Sequence, residues 1–169
     1  VDAFKRIYSI GTILATNYWE QDGWDFGPVF STFGYNDVEG LRLRVGGRTY
    51  SGQNDKYRLQ GFLAYGFKDD KFKYGISGKY LLDQKSRLVV EAGNRQDVEQ
   101  LGASLTNTSD VLGRSLASSS VLTVGSNASL TNINLSSLAF TFEPFKNFEV
   151  RLGSTYRTLK SASDQFSIA

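Results

Sequence analysis

The 169 residues contain no histidine and no cysteine. The usual general base, the commonest metal ligand and all thiolate chemistry are therefore missing. What remains is carboxylate and hydroxyl chemistry, and its spacing is poor. Asp69 and Asp70 lie between Lys68 and Lys71. They offer too few oxygens for calcium, which takes about 6 to 8, and read as a charged turn. Asp22 and Asp25 lack the alternating acidic pattern of a calcium loop. The serine-rich run Ser115 to Ser120 has no histidine to deprotonate it and no Ser-x-x-Lys element in its place. Glycines 61, 66, 75, 78, 93 and 153 do not form a phosphate-cradling Gly-x-Gly-x-x-Gly. These residues predict no catalytic centre, no metal and no cofactor, hence a chain that is not an enzyme.

The elements that would have to position any site show a stronger pattern. From Tyr57 to Phe67 the odd positions are Tyr57, Leu59, Gly61, Leu63, Tyr65 and Phe67, while the even ones include Arg58, Gln60, Ala64 and Gly66. Phe72 to Leu82 repeats this, with Phe72, Tyr74, Ile76, Gly78, Tyr80 and Leu82 against Lys73, Gly75, Ser77 and Lys79, and Phe148 to Arg157 does so again. Period-two alternation over about 9 to 11 residues is the length of a tilted strand crossing a bilayer, and aromatics at its ends suit the two lipid–water interfaces. The interface candidates are Tyr57, Phe67, Phe72, Tyr80, Phe148 and Tyr156.

Extending the same faces turns Arg42, Arg44, Arg48, Arg58, Lys73, Lys79, Arg87, Arg151 and Arg157 toward a barrel interior, against only Glu91, Glu143 and Glu149. Such an excess would give the lumen a positive potential that favours anions. The plainer reading, which we prefer, is that these side chains fill the interior and pair across strands with acidic residues outside this segment.

Composition agrees with strands. Mean hydropathy is −0.29, which excludes the continuous apolar run of a membrane helix. Alternation and turn formers predict strands over about 38–50, 57–67, 72–82, 87–93, 113–124, 133–143 and 148–158, joined by short polar connectors into an antiparallel meander. The polar stretch from Asn94 to Leu112 reads as a long surface loop. Between Asp2 and Trp19 the apolar residues suit helix and strand alike, and β-branched content tips the reading to strand. Asp22 and Gly23 then offer a hairpin turn between Trp19 and Trp24, followed by an aromatic strand over Phe26 to Tyr35. The paired tryptophans suit an interface girdle. The net charge of +2 argues against a nucleic-acid partner.

The segments YNDVEGLRLRVGGRT (35–49), RLQGFLAYGFKD (58–69) and FKYG (72–75), then DVEQLG (97–102), DVLGRS (110–115) and YRTLKSA (156–162), resemble the barrel of a Bacteroidetes outer-membrane family of unknown function. Its members carry a carboxypeptidase-regulatory-like domain ahead of a barrel similar to the bacterial surface-antigen superfamily. The resemblance implies an all-β, antiparallel transmembrane β-barrel, here a segment of a larger one, in the bacterial outer membrane. It implies membrane lipid and other outer-membrane or periplasmic proteins as partners, and a structural, assembly or transport role. The Val-Arg-Gly-aromatic marker of that superfamily's lumenal loop does not occur, and Val45 to Arg48 is not its equivalent. The regulatory-like domain is also missing from this segment. The chain starts at Val1 without an initiator methionine and ends without a long closing strand, so we expect a fragment forming one domain over 1–169. The rival reading is a soluble extracellular β-sandwich or adhesin-like binding module, which also alternates and turns every 8 to 12 residues or so.

Overall fold

The computed structural model describes residues 2–21, 23–49, 56–100 and 130–162. One helix, α1 (Asp2–Thr16), precedes nine strands: β1 (Trp19–Gln21), β2 (Trp24–Phe26), β3 (Phe33–Asn36), β4 (Gly40–Thr49), β5 (Tyr57–Gly66), β6 (Lys71–Asp83), β7 (Leu88–Gln100), β8 (Leu130–Phe145) and β9 (Phe148–Ser161). They form one antiparallel sheet in the order β1-β2-β4-β5-β6-β7-β8-β9, with β3 also on β4. The described residues are thus all-β apart from α1 and one short 3-10 turn, and the sheet they form is not closed.

Residues 2–16 correct the sequence expectation of a strand. A helix satisfies its backbone within itself, whereas a strand needs a neighbour on each side. Near the end of α1 the Thr16 hydroxyl donates back to the Thr12 carbonyl at 2.8 Å. Asn17, at φ 63°, donates its N–H to the Ile13 carbonyl at 2.8 Å and ends the helix. The aromatic strand expected over 26–35 is divided as well. Pro28 has no N–H to give a ladder, and a single 3-10 turn at Val29–Ser31 separates β2 from β3. Both short strands then share one edge of β4, β2 opposite residues 47–49 and β3 opposite residues 40–43.

β7 runs on to Gln100 and takes in the first seven residues of the loop expected over 94–112. Arg95, Asp97 and Glu99 look like loop polarity, but they alternate with Asn94, Gln96 and Val98 and pair along β8 from Leu135 to Thr131. The remainder of that loop, and the strand expected over 113–124, lie outside the described residues.

The two faces are inverted relative to a water-soluble sheet. On one face Val45 is 67% exposed, Ile76 60% and Leu152 61%, with Leu41, Leu43, Leu59, Leu63, Leu138 and Phe140 also exposed. On the other, Arg42, Lys73, Ser77, Glu91, Arg95 and Asp97 are buried beside Phe62, Ala64 and Ala139. This second face is concave. β4 and β7 are three strand spacings apart, roughly 14 Å on a flat sheet. Yet Arg42 Nη1 reaches Asp97 Oδ1 at 2.8 Å, which requires the sheet to curl around them.

Candidate functional site: a buried charge cluster on the concave face

The cluster begins with the turn between β3 and β4. Asn36 Oδ1 accepts the N–H groups of Val38 at 3.1 Å and Glu39 at 2.7 Å, a local bonding pattern typical of asparagine in turns. Its Nδ2 donates to Glu39 Oε2 at 2.6 Å. Glu39 is thereby pointed into the concavity, where it is 0% exposed. Gly40 follows at φ 63°, a conformation that costs a glycine little, and β4 then brings Arg42 onto the same face.

Arg42 Nη1 lies 3.1 Å from Glu39 Oε1 and 2.8 Å from Asp97 Oδ1. Lys73 Nζ lies 3.0 Å from Glu39 Oε1 and 2.6 Å from Asp69 Oδ2. Asp97 Oδ1 also accepts the Val98 N–H at 2.8 Å, and Arg95 pairs with Glu99 further along β7. Strands β4, β6 and β7 and the turns preceding β4 and β6 thus meet through charge-assisted hydrogen bonds, the stronger kind. Gly66 is required beside them. A Cβ there would stand 2.7 Å from Lys73 Nζ and 2.9 Å from Glu39 Cβ, and would also overlap Asp69 Oδ1.

The opposite end of the concave face is more open. Glu91 holds two cations, Lys79 Nζ at 3.3 Å and Arg151 Nη2 at 3.0 Å. Arg151 reaches across β8 because Ala139 and Gly153, which pair with each other beneath it, have no long side chains in the way. Arg48 pairs with Asp25 at 2.9 Å and stacks over the Tyr18 ring at 3.9 Å, while Arg44 lies 4.1 Å over the Phe62 ring. Both are favourable cation–π geometries. Arg87 bonds Glu143 at 3.2 Å at the sheet's margin. Arg58, opposite Lys79, and Arg157, opposite Leu135, share the concave face by register and are exposed.

Sequence reasoning therefore named these bases except Arg95 but missed most of their partners: Asp25, Glu39, Asp69, Asp97 and Glu99. One signal was available, because Asp97 and Glu99 continue the inward parity of Glu91. Glu39 and Asp69 sit in turns, where alternation gives no direction. Asp69 lies in the charged turn at 67–70, and its neighbour Asp70 accepts the Tyr65 hydroxyl at 3.0 Å. Among the described residues no group of three or more metal-ligating side chains could hold a metal ion. Each cluster carboxylate faces a cation, an arrangement suited to clamping strands rather than to moving a proton.

The six aromatics all lie exposed on the apolar face. Tyr57 and Tyr80 are cross-strand partners near one end. Phe67 and Phe72 flank the turn at the other end, joined through Tyr65, whose ring lies 5.2 Å from Phe67 and 4.8 Å from Phe72. Phe148 begins β9, and Tyr156 stands opposite Ser136 well along it.

No described helix is long and apolar enough to cross a membrane, a fact without bearing on strands. Comparison with curated proteins and with solved structures finds no match. A family model does match, over residues 10–156. It is the C-terminal domain of a family of unknown function (DUF5686), and with most of its length covered the chain belongs to that family.

Proposed function

We propose that this chain forms part of the wall of an outer-membrane β-barrel in a Bacteroidetes-type bacterium, with a structural or assembly role and no catalysis. The observation that carries the reading is the inversion of the sheet. Arg42, 1% exposed, and Glu39 are buried on the concave face while Val45, Ile76 and Leu152 are largely uncovered on the convex one. A barrel in lipid turns apolar side chains outward and polar ones inward. In water the same exposed face would be an apolar patch far beyond what monomeric proteins tolerate. A soluble sandwich would bury that face against a second sheet, and the described strands all belong to one sheet. The interior favours scaffolding over passage, because the cluster from Asn36 to Asp97 fills one end of the concavity with paired side chains.

The absence of native cysteine makes the test clean. Single cysteines at Ile76 and at its neighbour Ser77 should behave oppositely in reconstituted vesicles. A fluorophore at Ile76 should be quenched by lipids brominated on their acyl chains. One at Ser77 should not. A chain that is monodisperse without detergent, with Ile76→Cys freely labelled by a water-soluble thiol reagent, would overturn the membrane reading.

A further inference from the structure

The outer face of β6 to β9 changes character partway along, and in a sheet embedded in lipid such a change needs a cause. Toward the turns at 84–87 and 146–147 its outward positions are Leu138, Phe140, Val150 and Leu152. Toward the other end two cross-strand rows replace them. One row reads Tyr74, Gln96, Asn134, Thr158, and the next climbs from the lipid-facing Ile76 through Asn94 and Ser136 to Tyr156. Amides and hydroxyls fill the middle of these rows, and tyrosine rings stand at two corners. Neither row contains a charged residue. A surface meant only for water carries roughly a quarter to a third Asp, Glu, Lys and Arg, so a run of neighbouring positions without one calls for a neutral polar ligand.

The side chains are arranged to bind. Asn94 Nδ2 donates to Ser136 Oγ at 2.8 Å and to Asn134 Oδ1 at 3.2 Å, holding both in place. The amide nitrogen of Asn134 and the amide of Gln96, both exposed, are left to offer donors and an acceptor outward. Tyr156, 74% exposed, presents an apolar ring face with a polar tip. The strands are also tall here. β8 has 16 residues, where about 11 tilted at about 45° cross a bilayer, so about five more add about 16 Å of strand, or on the order of 12 Å of height.

We infer that this patch binds the neutral sugar headgroup of a membrane glycolipid, whose acyl chains lie on the adjoining Leu138, Phe140 and Leu152, an assignment that rests on the sheet lying in a membrane. Amides and hydroxyls suit sugar hydroxyls as donors and acceptors, and the tyrosine rings suit the apolar C–H faces of a sugar. The two rows carry no charge, and the nearest outward base, Lys160, belongs to the row beyond Thr158, so a phosphate is disfavoured within the patch. Continuity with the lipid-facing surface favours a tethered glycan over a free one.

The test is native mass spectrometry of the protein in nanodiscs of phosphatidylcholine containing a neutral digalactosyl lipid as a minor component. The protein should retain digalactosyl lipid over phosphatidylcholine by about tenfold relative to their bulk ratio, one decade of affinity. The surface triple variant Gln96→Ala, Asn134→Ala, Tyr156→Ala should lose that enrichment while keeping its circular dichroism and nanodisc incorporation. The control Tyr80→Ala should keep it. Equal retention of both lipids by the native protein, or loss in Tyr80→Ala as well, would overturn the proposal. Displacement of the lipid by free digalactose at millimolar concentration would overturn the tethered-glycan assignment. Failure of the native protein to enter nanodiscs would instead refute the membrane reading, so the two failures are distinguishable.

Discussion

Replacing Arg42 with methionine probes the clamp most directly. The change keeps much of the side chain's length and its apolar stem but deletes the guanidinium that joins Glu39 at 3.1 Å to Asp97 at 2.8 Å. Glu39 and Asp69 would keep Lys73 at 3.0 and 2.6 Å, while Asp97 would lose the guanidinium at 2.8 Å. Arg42 is 1% exposed and its acidic partners are equally buried, so water cannot take over the lost bonds. Removing one member of a buried pair costs about 3 to 5 kcal/mol, because the remaining charge is left desolvated. The double variant Arg42→Met, Asp97→Leu removes a charge of each sign and leaves Glu39 with Lys73 at 3.0 Å and Asn36 at 2.6 Å. It should be more stable than Arg42→Met alone, with a coupling of about 0.5 to 3 kcal/mol between the two sites.

The assay is urea unfolding of the protein in detergent micelles, followed by the fluorescence of Trp19 and Trp24, neither of which touches the cluster. A shift of midpoint at constant slope reports stability alone. If Arg42→Met loses less than about 1 kcal/mol, the pairs behave as exposed surface ion pairs do, and they do not hold the curvature of the sheet.

Leu63→Arg, on the outer face near the middle of β5, should cost about 2 to 4 kcal/mol in a bilayer. The same exposed substitution on a water-soluble sheet would fall within about 0.5 kcal/mol, so unfolding of the refolded vesicle-bound protein separates the two environments. Gly66→Ala should destabilise by about 1 to 3 kcal/mol, the usual range for overpacking, because its Cβ would displace Lys73 Nζ. Planar bilayers containing the protein should show no steady conductance, since paired residues fill one end of the concave face. A clear anion-selective current reduced by Arg44→Gln and Lys79→Gln would contradict the scaffold reading. Hydrolytic assays should show no turnover, and activity lost on replacing Asp69 or Asp97 would contradict the absence of catalysis.

The strands from β4 to β6 and β9 were legible because each obeys one period for at least ten residues, with turn formers at its ends. Where the period is interrupted, the reading failed. Residues 2–16 place apolar side chains compatibly with both periods, so periodicity alone cannot choose the helix. In β7 the apolar face stops at Ala92, and Asn94 and Gln96 then look like loop on either face. Only the ladder with β8, some forty residues away, makes them strand. Mean hydropathy, which argued against a membrane helix, could not separate a barrel from a soluble sheet for a related reason. When one face of each strand is apolar and the other charged, the average is that of an ordinary soluble protein.

The charge reading shows the same limit. Counting only inward positions of clear strands gave nine bases against three acids and hence a positive lumen. With turns and the full length of β7 included, the acids Asp25, Glu39, Asp69, Asp97 and Glu99 join Glu91 on the concave face, against Arg95 as one further base. The balance is uneven along the wall. At the buried end Arg42, Lys73 and Arg95 face Glu39, Asp69, Asp97 and Glu99, so the acids there slightly exceed the bases. Any positive excess therefore resides at the other end, where Lys79 and Arg151 share Glu91 and Arg58 stands exposed beside them. A field of that kind draws anions to one mouth and offers them no continuous path, so charge at the open end and a filled interior belong to the same scaffold.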